Sequence, residues 1–97
     1  MPIKQVIGGK IFDTSTAMEI ASTAHTTNRS DPFNHGRYEA LYRTPKGNYF
    51  VAKFTIWEGE RDSIEEMSPM DALIWCEMHA IDGEIVASEF GDLIAEA

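Results

Sequence analysis

Apolar and polar positions alternate most clearly in the middle of the chain, on both sides of the turn sequence Pro-Lys-Gly at 45–47. This pattern predicts strands over residues 38–44 and 48–56, because proline presets φ at the first turn position and glycine tolerates positive φ. Pairing Thr44 with Asn48 fixes the register, since a slip of one residue would turn a glutamate into the core. One hairpin face should then be buried, and it consists of Tyr38, Ala40, Tyr42, Phe50, Ala52 and Phe54.

The opposite face of this hairpin has the pattern of a solvent-facing surface. In the predicted register Glu39 lies opposite Lys53 and forms a charge pair, and Arg43 lies opposite Tyr49 and stacks on its ring. Both pairs suit exposed positions of an antiparallel sheet. We therefore expect the helices to pack on the aromatic face.

The first quarter of the chain predicts a strand followed by a helix. Residues 3–7 are apolar-leaning and close on two glycines, which predicts an edge strand that residues 10–12 continue. Asp13 stands at an N-cap position, and the spacing of Thr16 and Glu19 is that of a capping box. A helix should therefore run to about residue 24, and residues 25–37, which lack periodicity, should form a loop. The helix should bury Ala17, Ile20, Ala21 and Ala24.

The last third of the chain predicts two more helices. Ser68 suits an N-cap and Pro69 the first helical position, so a helix should begin here and run to about residue 80. After the break at Asp82-Gly83, residues 84–96 again show apolar positions at helical spacing. The residues expected to be buried are Leu73, Ile74, Met78 and part of Trp75 in the first helix, and Ile85, Val86, Phe90, Leu93 and Ile94 in the second.

Together these elements predict a single α+β domain over residues 1–97. A small antiparallel sheet, made of the N-terminal strand plus the β-hairpin, should pack against two to three helices. The length suits one domain with one modest core.

Charge is sorted along the chain. Residues 1–57 carry seven basic and four acidic side chains, a net of +3, whereas residues 58–97 carry Arg61 and twelve acids, a net of −11. A concentrated acidic surface attracts basic proteins and disfavours direct binding of DNA or RNA. The chain also has one cysteine, no signal-peptide pattern and no apolar run of about 20 residues, so we expect a cytoplasmic protein with no membrane partner.

The spacing of the residues gives little support for a catalytic site or a metal site. His25, Asp31 and His35 share one predicted loop, but their spacing matches no zinc pattern. Cys76 and His79 lie three residues apart on a predicted helix, yet no third group orients them, and a packed small side chain is the simpler interpretation of Cys76. The sequence therefore predicts no enzyme, no metal site and no cofactor.

The acidic stretch at residues 58–66 is the candidate binding site. Its acids fail the order of a calcium-binding loop. Two interpretations stay open: a solubilising surface, or carboxylates that occupy a groove built for nucleic-acid phosphates. The candidate partner-binding residues are Glu58, Glu60, Asp62, Glu65 and Glu66, together with Tyr49 and Trp57.

Short runs over nearly the whole chain carry a resemblance. They are GKIFDT at 9–14 with TA at 16–17, LYRT at 41–44, GNYF at 47–50, SP at 68–69 with DA at 71–72 and Trp75, and FGDLI at 90–94. These runs resemble a family of small accessory domains from phages, prophages and plasmids, some of whose members lie in anti-CRISPR loci. The chain departs from the family after Phe50, where residues 51–57 form a longer predicted strand in place of a glycine-rich stretch.

The resemblance implies a strand–helix–hairpin–helix–helix unit without catalytic residues, in a bacterial host cell. The function we expect from it is inhibition of a bacterial defence nucleoprotein, in the manner of an anti-CRISPR protein. The partner would be a host protein or ribonucleoprotein with a basic surface, such as a CRISPR–Cas component. The alternative is a non-catalytic accessory module that binds another phage or plasmid protein. The sequence does not indicate the oligomeric state.

Overall fold

Six strands and two helices make up the residues that the computed structural model describes, 2–23 and 37–95. In chain order they are β1 (Lys4–Ile7), β2 (Lys10–Asp13), β3 (Met18–Ser22), β4 (Arg37–Arg43), β5 (Tyr49–Thr55), β6 (Ser63–Met67), α1 (Pro69–Met78) and α2 (Gly83–Phe90). The α+β class is confirmed, but β1 does not join the central hairpin. It pairs with β2 in a separate two-stranded sheet, and the other strands form an antiparallel sheet in the order β3-β4-β5-β6.

The predicted register of the β4–β5 hairpin is confirmed at every pair from Tyr38–Phe54 to Arg43–Tyr49. The Thr44 amide donates to the Asn48 carbonyl at 2.8 Å, and the Gly47 amide donates to the Thr44 carbonyl at 2.9 Å. Gly47 has φ +89°, which an L side chain would adopt only with strain. Local turn chemistry therefore sets this register, as the sequence indicates.

Both faces of the four-stranded sheet are covered, whereas one was predicted to face solvent. Leu41, Tyr49 and Val51 lie on the supposed outer face and pack against α1 and α2. The sequence of β5 already indicated that both faces are covered. This strand begins with four consecutive apolar residues, a pattern typical of a strand covered on both sides. The predicted Glu39–Lys53 pair is replaced by other contacts, whereas Arg43 and Tyr49 still interact but are half-buried and buried rather than exposed. Lys53 pairs with Glu65, Glu39 accepts from the indole of Trp75, and both Arg43 and Tyr49 contact Glu89.

The aromatic face of the hairpin is buried at its centre and open at one end. Phe50 is fully buried, and Tyr42 stacks on it with 5.2 Å between ring centroids. Phe12 of β2 meets the same ring edge-on at 5.4 Å, so the β1–β2 hairpin rather than a helix covers this face. Tyr38, at the open end, stacks on Phe54 but remains 38% exposed.

The helix predicted after Asp13 is wrong, because the chain forms a turn and then β3. The Asp13 carboxylate accepts from the amide of Ser15 at 2.9 Å and from its hydroxyl at 2.7 Å, and these bonds hold the pKa of Asp13 below its usual range. An N-cap residue and an Asx-turn residue present the same sequence signal. The weak helix propensity of the Thr- and Ser-rich segment lets strand pairing with β4 prevail.

The start of α1 is as predicted. The Ser68 hydroxyl accepts from the Asp71 amide at 3.1 Å, and Pro69 occupies the first turn. The buried face consists of Ala72, Leu73, Trp75 and Cys76, so the prediction was right for Leu73 and wrong for Ile74 and Met78, which are exposed.

The chain on either side of α1 also differs from expectation. Residues 63–67 form β6, whereas the sequence predicted no element there. The predicted helix over 84–96 stops at Phe90, and a turn follows at 91–93. The predicted loop was residues 25–37, but Arg37 already belongs to β4, and residues 24–36 and 96–97 lie outside the described residues. Of the five residues predicted to be buried in this segment, Phe90 is buried and Val86 half-buried, whereas Ile85, Leu93 and Ile94 are exposed, so the prediction was wrong for these three. Neither α1 nor α2 has the length that a membrane-crossing helix needs.

Candidate partner-binding surface

The predicted acidic stretch lies on the loop between β5 and β6 and on β6 itself, and most of its carboxylates already have partners. Nε and Nη2 of Arg37 donate to the two carboxylate oxygens of Glu60, which also accepts from the Thr55 hydroxyl at 2.6 Å. These bonds hold the pKa of Glu60 below its usual range. Asp62 accepts from the backbone amide of Thr55 at 2.9 Å. Reversing the charge of Glu60 or Asp62 would therefore change the structure of this loop as well as its charge.

The acids of β6 are paired as well. Glu65 lies 3.3 Å from the ammonium of Lys53, and Glu66 lies 3.1 Å from that of Lys10. Glu58 is exposed on the loop, and the described contacts give its carboxylate no base. The bases of the first half thus meet the acids of residues 58–66, so the charge contrast along the sequence largely cancels in this part of the fold.

The two aromatic candidates lie in different environments. Tyr49 is buried beneath Phe90, with ring centroids 5.2 Å apart, and its hydroxyl donates to Glu89 at 2.6 Å. Trp57 is 48% exposed, with the guanidinium of Arg37 6.0 Å from its ring centroid. Trp57 therefore belongs to the surface beside the acidic loop, and Tyr49 belongs to the core under α2.

The most negative surface is the helical layer, which we define as residues 68–95. This segment contains no Lys or Arg, and among the described residues Arg43 is the one base that pairs with it, at Glu89. Sequence reasoning found the acidic excess over residues 58–97 but placed the candidate binding residues at 58–66 and so left this layer out, although the absence of any Lys or Arg after Arg61 was a signal. Its acids are Asp71, Glu77, Asp82, Glu84, Glu89 and Asp92.

An exposed apolar ridge crosses this acidic layer. Met70, Ile74 and Met78 lie at i, i+4 and i+8 of α1 and are 49%, 45% and 76% exposed. Helical spacing places them on one side of α1, opposite the four buried residues, with Asp71 and Glu77 on the two flanks. We call these three side chains the α1 ridge.

The thiol of Cys76 lies in the core of the described fold. Cys76 is fully buried, and burial, with the nearby charges of Glu77 and Glu89, raises the pKa of its thiol from 9.0 to about 11. His79 instead packs on Trp75, with ring centroids 4.7 Å apart. Within 2–23 and 37–95 no three potential ligand side chains cluster as a metal site would need, and the candidate ligands His25, Asp31 and His35 lie outside those ranges.

Alkaline pH should reveal the buried thiol. The folded protein holds the Cys76 proton more tightly than the unfolded chain, so the stabilisation is complete below pH 9 and is lost as the pH rises to about 11. The free energy of unfolding should fall by up to about 2 kcal/mol across this window from Cys76 alone. Urea titrations of wild type and Cys76→Ala at pH 8 and pH 11 measure the difference. Equal losses in the two proteins would contradict a buried, protonated thiol.

Comparison with known proteins identified no relative of this chain. No family model, curated protein sequence or solved structure matches this chain. The resemblance to mobile-element accessory domains thus remains a prediction from the sequence runs. The charge and shape of the helical layer are the structural grounds on which a function is argued.

Proposed function

We propose that this protein is a mobile-element-encoded inhibitor of a bacterial defence nucleoprotein, of the anti-CRISPR kind, and that it acts in the host cytoplasm by binding a basic protein surface. The observation that carries the proposal is the helical layer, where six acids occur without a Lys or Arg. A nucleoprotein of this kind holds its nucleic acid with Lys and Arg. An acidic helical layer is complementary to such a surface and repels the nucleic acid itself.

The physical consequence is long-range attraction to the partner. A surface with several uncompensated carboxylates raises the rate of encounter with a basic patch, and salt reduces that rate. The exposed acids Asp71, Glu77, Glu84 and Asp92 have this character, whereas the carboxylates of β6 are each matched by a lysine. The binding surface therefore centres on the helices rather than on residues 58–66.

The proposal is tested by phage infection of bacterial strains that carry defined CRISPR–Cas systems, one strain for each main effector type. Expression of the protein should restore plaquing at least about tenfold on one of them. Failure on every type would overturn the proposal. The inhibited effector complex is then purified for binding measurements.

Two matched charge reversals locate the binding surface on that complex. Asp92→Lys in the helical layer and Glu58→Lys on the β5–β6 loop change the net charge equally, and both side chains are exposed. At low salt, Asp92→Lys should weaken binding about fivefold, the effect of roughly 1 kcal/mol, and Glu58→Lys should weaken it less. The reverse order would return recognition to residues 58–66.

An accessory interaction module of a phage or plasmid is the second candidate function. The exposed α1 ridge favours it, because an apolar surface suits a stable contact with another protein of the same element. Such a module would leave CRISPR immunity intact. Its binding would also change little between low and high salt, whereas that of an acidic inhibitor should weaken steeply.

A further inference from the structure

We infer that the α1 ridge is the anchor of the interface, and that its occupant is a partner protein with an apolar groove rimmed by Lys or Arg. This inference deepens the proposed function and rests on it. The ridge supplies the apolar centre of the contact, and the acids beside it supply the charged rim. Interfaces commonly combine a desolvated apolar core with a polar rim.

The composition of α1 is the first ground. Its buried side packs Ala72, Leu73, Trp75 and Cys76 against the sheet, so the core accounts for those apolar residues. The ridge lies on the other side, where a surface helix ordinarily carries charged or polar residues. A helix with apolar residues on two opposite sides is typically covered by other protein elements on both of those sides. Two of the three ridge residues are methionines, whose flexible side chains adapt well to a partner surface.

The flanking charges decide against a second copy of the chain as the occupant. Pairing two α1 helices through their ridges would bring Asp71 and Glu77 of one copy near the same acids of the other. The helical layer offers no Lys or Arg to relieve the repulsion.

The same charges decide against nucleic acid and anionic lipid, both of which need bases at the contact. A groove with apolar walls and a basic rim satisfies both features of the ridge at once. Met70, Ile74 and Met78 would enter the groove as anchors one helical turn apart, in the helix-in-groove mode. Asp71 and Glu77 would meet the rim on its two sides.

The first arm of the test uses the effector complex that the infection assay identifies. The variant Met70→Gln with Met78→Gln keeps length and helix propensity but removes the apolar character. The matched control, Val6→Thr with Ile11→Thr, removes a cross-strand apolar pair of similar exposure, 65% and 64%, from the β1–β2 hairpin. The ridge variant should bind at least tenfold more weakly through faster dissociation, and the control should bind as wild type. Equal binding of the two variants overturns the inference.

The second arm needs no natural partner and therefore separates failure of this inference from failure of the proposed function. The probe is a synthetic amphipathic helix of Leu and Lys, with a matched peptide of Leu and Glu. NMR of methyl-labelled methionines should show shifts at Met70 and Met78 with the Lys peptide and none with the Glu peptide. Shifts elsewhere, or equal shifts with both peptides, overturn the inference. Concentration-dependent self-association that the ridge variant abolishes would overturn it in favour of a second copy.

Discussion

Replacing Phe50 with alanine is expected to lower the free energy of unfolding by about 3–5 kcal/mol. The Phe50 ring is fully buried between the four-stranded sheet and the β1–β2 hairpin, where Phe12 and Tyr42 contact it. Its removal leaves a cavity that two sheets cannot readily close. A domain of this size has a total stability of roughly 5–10 kcal/mol, so this single substitution should remove a large share of it.

Phe54→Ala provides the internal comparison, because Phe54 lies on the same strand and face but is half-buried at the open end, stacked on Tyr38. Urea denaturation followed by far-ultraviolet circular dichroism measures both losses. Phe50→Ala should be clearly the more destabilising of the two. Losses of equal size would mean that the β1–β2 hairpin does not seal the aromatic face.

Sequence reasoning succeeded where structure depends on neighbouring residues. The turn at Gly47 and the cap at Ser68 are decided within a few positions of the chain, so the hairpin register and the start of α1 were predictable. The segment after Asp13 has the same kind of local signal, yet it forms a turn and a strand. Which structure this segment forms depends on its pairing with β4, which is distant in sequence. No local pattern encodes the competition between a helix and this strand pairing.

The candidate surface was predictable in its charge but not in its position. The sequence shows that acids dominate after residue 57, but it does not show which bases come to meet them. Lys10, Arg37 and Lys53 reach the acids of residues 58–66 across separations of up to 56 residues. Only the fold reveals that the helical layer keeps its charge and that Ile74 and Met78 face solvent.

Trp75 links the helical layer to the sheet through a contact that the sequence did not indicate. Its ring is 5% exposed in the core beneath α1, and its indole N–H donates to the Glu39 carboxylate at 2.9 Å. The sequence pattern predicted that Glu39 would pair with Lys53 on an exposed face of the sheet. The buried helix–sheet interface instead uses Glu39 as a polar anchor for α1.

Substitution of Trp75 should separate the two contributions of this side chain. Trp75→Ala removes both the packing and the hydrogen bond and should cost about 3–5 kcal/mol of stability. Trp75→Phe keeps most of the apolar contact but leaves the half-buried Glu39 carboxylate without its donor, at a cost of about 1–2 kcal/mol. Circular dichroism is the suitable probe, because substituting Trp75 also changes the tryptophan fluorescence.

A double-mutant cycle with Glu39→Gln tests the assignment of the hydrogen bond. If the indole–carboxylate bond supplies the smaller cost, Trp75→Phe should destabilise the wild-type background by more than the Glu39→Gln background, since an amide accepts from the indole less strongly than a carboxylate. Equal effects in both backgrounds would show that the carboxylate charge adds nothing to this bond, because an amide oxygen at residue 39 still accepts from the indole. In that case charge changes at residue 39 would leave the position of α1 on the sheet, and with it the α1 ridge, unaltered.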